Sequence, residues 1–182
     1  MAKTKLSKAA YVEHGYGQVE PNHLSARRTG QIYAQLPANK NIEVLENGQF
    51  AKYDYAAGEV NFSADAAGEW MLVFNEIKLY EPRQTDADFA MVATNYTAAV
   101  YDATGKGMPE GTKMVPRLLK TNVGDIFTTN TVDEETLEVG NVLTPTADTG
   151  YLKIGTGDIE FTVVKVYTMP DNQKGVKLQR TK

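Results

Sequence analysis

The chain has 182 residues, no cysteine, two histidines, and 19 Lys and Arg against 23 Asp and Glu, for a net charge of -4. Disulfides, thiolate metal sites and thiol nucleophiles are excluded, and a zinc site would have to rest on His14, His23 and carboxylates. The length suits one domain, or one domain with an arm, burying roughly 65 to 70% of its unfolded surface without disulfide support.

Residues 1–30 carry Lys3, Lys5, Lys8, Arg27 and Arg28 among Gly15, Gly17, Pro21 and Gly30, with few apolar side chains and no helical or alternating period. Such a stretch cannot offset its ordering entropy alone, which predicts an extended N-terminal arm that orders against a partner, with Tyr11 in its most apolar stretch. No apolar run follows the lysines, so no secretory signal is expected, and the longest apolar run, Trp70 to Phe74, is too short to span a bilayer. A soluble protein with no membrane partner is expected. The two ends, 1–30 and 165–182, are net +3 and +4, and the stretch between them is net -11. Basic ends on an acidic body suit docking onto a negatively charged surface; the plainer reading is that lysines keep the termini solvated.

From Gln31 onward, short runs rich in Val, Ile, Tyr, Phe and Thr alternate with Gly, Asn, Asp and Pro every eight to twelve residues. That pattern predicts an all-β protein of small barrel or sandwich units. A first β unit, 31–82, takes strands near 31–36, 42–46, 49–54, 59–63, 69–75 and 77–80. A connecting segment, 83–111, opens with a short helix start at Thr85 to Met91, capped by Thr85 with Asp86 and Asp88 in its first turn. The second β unit, 112–182, takes strands near 112–119, 124–130, 139–144, 151–154, 159–168 and 174–180. The two units either stand apart or pack as one domain over 31–182.

The units share a glycine pattern. Gly48 and Gly58 are ten residues apart, as are Gly140 and Gly150, and a further glycine follows each pair, Gly68 and Gly157, before the most apolar runs of the chain. This reads as one antiparallel unit written twice, with Gly124 opening a third strand in the same way. Pro170-Asp171-Asn172 breaks the ladder after the longest strand, so Val163 to Tyr167 should pair with Val176 to Leu178 as a hairpin. Alternation in 159–168 puts Ile159, Phe161, Val163 and Lys165 on one face and Val164 and Val166 on the other, which suggests a central strand covered on both sides. Trp70, beside Met71 to Phe74, reads as core.

Motifs that carry chemistry fail one by one. Gly105-Lys106-Gly107 lacks the phosphate-loop pattern, having Val100 where a glycine is required and Gly107 where Ser or Thr is required. His14 and His23 lack metal-pair spacing. Asp86 and Asp88 read as helix capping and Asp133-Glu134-Glu135 as a solvated turn, although two acids in one cleft would suit a carboxylate hydrolase. Arg27 and Arg28 with the arm lysines suit loose phosphate contact, yet no aromatic ladder interleaves them, so sequence-specific nucleic-acid binding is not expected. No catalytic, metal-binding or cofactor-binding residues are assigned, and the chain is expected not to be an enzyme. The positions singled out are Lys3, Lys5, Lys8, Tyr11, Arg27 and Arg28 for partner binding, and Gly48, Gly58, Gly124, Gly140 and Gly150 as corners.

Three stretches, Gly124-Asp125-Ile126-Phe127-Thr128-Thr129-Asn130, Val139-Gly140-Asn141-Val142-Leu143-Thr144-Pro145 and Gly157 to Tyr167, resemble virion structural proteins of tailed bacteriophages. More narrowly, the layout is similar to the small β-rich proteins that decorate or cement a phage head. The resemblance implies a virion protein, assembled in the host cytoplasm, that binds the major capsid protein or other virion proteins, forms homo-oligomers on the particle, and lays its arm across neighbouring subunits. The alternatives are a head–tail connector component and a carbohydrate- or receptor-binding module, the latter with Tyr53, Tyr55, Tyr96 and Tyr101 as its aromatic face.

Overall fold

The computed structural model describes residues 17–28, 36–63, 68–75, 90–92, 114–169 and 173–182. The described residues are all-β apart from one helical turn. In order, the elements are β1 (Val19–His23), α1 (Ser25–Arg28), β2 (Val44–Glu46), β3 (Phe50–Asp54), β4 (Glu59–Asn61), β5 (Met71–Val73), β6 (Ala90–Val92), β7 (Leu118–Leu119), β8 (Ile126–Thr129), β9 (Val142–Pro145), β10 (Leu152–Ile154), β11 (Phe161–Thr168) and β12 (Lys174–Arg180). They form an open six-stranded sheet, β1-β8-β12-β11-β9-β10, an open four-stranded sheet, β4-β3-β5-β7, and a ribbon, β2-β6. All named strand pairs are antiparallel.

The four-stranded sheet is a middle layer because its strands are apolar on both faces. Phe50, Trp70 and Leu72 pack toward the six-stranded sheet, in a core with Leu24, Phe127, Leu143, Phe161, Val163 and Leu178. Phe50, Phe127 and Phe161 meet in a triangle with centroid separations of 5.1, 5.5 and 6.2 Å, so one ring from the middle layer packs against a pair from the larger sheet. The alternate residues, Ala51, Tyr53, Met71 and Val73, face a second core with Ile42, Leu45, Met114 and Leu118. Trp70 lies in the core as read from the sequence, 5% exposed, with the Lys52 ammonium 4.9 Å from its ring.

The repeated glycines mark a repeated topology. In the middle sheet, β3 has β4 on one side and β5 on the other, with β7 beyond β5; in the larger sheet, β9 has β10 and β11, with β12 beyond β11. Each first strand is entered through the same turn. The amide of residue 49 donates to the Glu46 carbonyl and that of residue 141 to the Glu138 carbonyl, while Gly48 and Gly140 donate to Val73 and Val163 on the third strands. In each turn the first residue's amide is also capped by the fourth residue's side chain, Gln49 or Asn141. Asn122 to Asp125 builds the turn a third time, with Gly124 donating to Arg180 and the Asp125 carboxylate capping Asn122. The glycines stand at φ +93°, +94° and +95°, as the third position of a type II turn demands. The following hairpins close alike, Gly58 onto Asp54 and Gly150 onto Thr146, at φ +68° and +69°. The outer strands are bridged alike as well, Val60 by Ala38 and Leu152 by Val132.

Several expectations are corrected. Residues 17–28 are not an arm, for β1 pairs with β8, Leu24 is 3% exposed, and the Ser25 amide and hydroxyl both donate to the Asp125 carboxylate. Their order comes from a backbone ladder to strands a hundred residues away, which local apolar content does not report. The first unit draws its fourth strand, β7, from beyond residue 112, and β1 joins the sheet of the second. Met91, expected at the end of a helix start, lies in β6 opposite Leu45. Residues 31–35 of the strand expected over 31–36, the strand expected over 77–80, and residues 85–89 lie outside the described residues. The expected hairpin of β11 and β12 forms, with Val163 opposite Leu178 and Val166 opposite Val176. A bulge between Val163 and Lys165 breaks the alternation, so β11 is not covered on both sides: Val164 and Val166 are 38% and 41% exposed.

Candidate interaction surface

The polar side chains buried between the layers link structure to structure. Glu46, 1% exposed at the end of β2, accepts from the Tyr151 hydroxyl at 2.7 Å and from the Gly17 amide at 3.4 Å. Burial, and then this carboxylate, push the Tyr151 phenol well above its usual range. Gln49 donates to the Thr149 carbonyl, and Asn47 exchanges two hydrogen bonds with the Asn75 backbone. Thr131 donates to the Asn47 carbonyl, and Asn130 donates to Gln173 while accepting from the Gln18 amide. The network ties the entry turn of β3, the end of β8 and segment 17–18 into one unit, which accounts for burying these groups. Arg180, 9% exposed, is consumed in the same manner, donating to Thr121, Glu69 and the Lys182 carbonyl.

Among the described residues, no three His, Asp or Glu side chains gather as metal ligands would. His23 is exposed at the end of β1, opposite Ile126. Asp133, Glu134 and Glu135 lie on the loop after Val132, where the Glu134 carboxylate accepts from the Ile154 amide at the outer edge of β10. Arg27 and Arg28 fall in the helical turn α1. Lys3, Lys5, Lys8, Tyr11, His14, Asp86, Asp88, Tyr96, Tyr101 and Lys106 lie outside the described residues. Of the tyrosines read as an aromatic face, Tyr53 is buried in the second core, and Tyr55 is 63% exposed at the β3–β4 hairpin, stacked 5.4 Å from Tyr53.

Among the described residues, the exposed large apolar side chains include two at equivalent corner turns and two along β11. Val123 and Val139, the second residues of two equivalent entry turns, are each 68% exposed. The third equivalent position, Asn47, is buried and bonded to Asn75. β11 runs past its last partner on β9, the pair Thr162 and Val142, so no described residue pairs with that edge from Val164 to Thr168. On the outer face of the hairpin, Lys165 sits directly opposite Lys177. Sequence reasoning placed Lys165 inward, because a bulge inverts the faces without leaving a residue-type signal. No protein-family model, no curated protein and no solved structure matches the chain.

Proposed function

We propose that this chain is a non-enzymatic structural protein of a tailed-phage virion that decorates or cements the head by binding between major capsid subunits. The observation that carries the reading is the pair of exposed valines at Val123 and Val139. The same turn supplies both, and its geometry makes no demand for an apolar side chain at that position, where a polar residue would serve equally well. A protein whose interior polar groups serve its own layers, and whose turn tips carry bare valines, is suited to contact another protein surface rather than to transform a small molecule.

The test is co-sedimentation of the isolated protein with particles of its phage lacking it. Wild type should band with the particles and Val123→Asp should bind at least about tenfold more weakly while keeping its unfolding midpoint. Wild type that fails to band with particles refutes the function; Val123→Asp that binds undiminished refutes the assigned surface.

One observation favours a second reading, a carbohydrate- or receptor-binding module: the exposed Tyr55 ring, stacked on Tyr53, offers a flat apolar platform at a hairpin tip. Glycan-array binding lost in Tyr55→Ala would support it, and an array without hits would remove it.

A further inference from the structure

We draw no further inference here: the strongest candidate, the outer face of the β11–β12 hairpin where Lys165 stands opposite Lys177, shares its row of the sheet with Glu20 two strands beyond Lys177, so its charge is not of one sign and nothing in the structure shows what covers it.

Discussion

Gly58 and Gly150 close equivalent hairpins at φ +68° and +69°, which makes them a natural experiment in separating backbone strain from packing. An alanine at either position suffers the same left-handed penalty, about 1 kcal/mol or slightly more. A methyl group at Gly58 would meet nothing within 4 Å, so Gly58→Ala should cost about that penalty alone. At Gly150 the methyl would fall on the Phe50 carbonyl oxygen and within 2.7 Å of the Phe62 ring, and the Gly150 carbonyl also accepts from the Phe50 amide at 2.7 Å. Relieving the overlap moves the turn away from Phe50, adding about 1 to 3 kcal/mol of overpacking and about 1 kcal/mol for the weakened hydrogen bond. Gly150→Ala should therefore be destabilised by about 2 to 4 kcal/mol more than Gly58→Ala, a difference of about 4 to 16 °C in Tm for a chain of this size. Urea unfolding followed by the fluorescence of Trp70, the single tryptophan, measures both variants. Equal losses would refute the claim that the second unit's hairpin is docked onto the first unit while its counterpart stands free.

Tyr151→Phe strips Glu46 of its hydroxyl donor and should cost about 1.5 to 3 kcal/mol at neutral pH. Because the folded phenol is raised, wild type gains stability from it below about pH 10 and loses that gain as pH climbs further, so the gap between wild type and Tyr151→Phe should narrow from about pH 9 to about pH 11; a constant gap in urea midpoints would contradict this. Deleting residues 1–28 rather than 1–16 should cost at least about 3 kcal/mol more, from the burial of Leu24 and the ladder of β1, and equal unfolding midpoints would show that the segment does not belong to the body. Asn47-Gly48 is a sequence prone to succinimide formation by attack of the glycine amide on the asparagine side chain. Here that amide donates to Val73 and the side chain is held by Asn75, so mass spectrometry should find deamidation in urea and none in the native protein over the same interval.

The strands were legible wherever residue type answers directly to backbone geometry. The spacing of Gly48 and Gly58, repeated at Gly140 and Gly150, marks turns that side chains adopt poorly, and the runs between them are β-branched and aromatic. The candidate surface was less legible. Val123 and Val139 stand in the sequence beside the right glycines, but only the fold shows that Asn47, in the same local turn, faces inward while they face solvent. The Lys165–Lys177 pair, and the length of β11 that no described residue pairs with beyond β9, depend on a bulge and on where β9 ends, neither of which has a compositional signature.

By itself the sequence determined the local conformations: an all-β chain, its turns, its longest hairpin and the doubling of its glycine pattern. These follow from steric limits on each residue's φ and from two-residue alternation, and both act over a few positions. The tertiary structure alone decided which strands adjoin beyond that hairpin, that residues 17–28 complete a sheet with β8, that β7 closes the first sheet from beyond the connecting segment, and which side chains reach solvent. Those outcomes rest on ladders and packing between residues scores of positions apart, where the deciding energies are sums over surfaces that no short stretch contains.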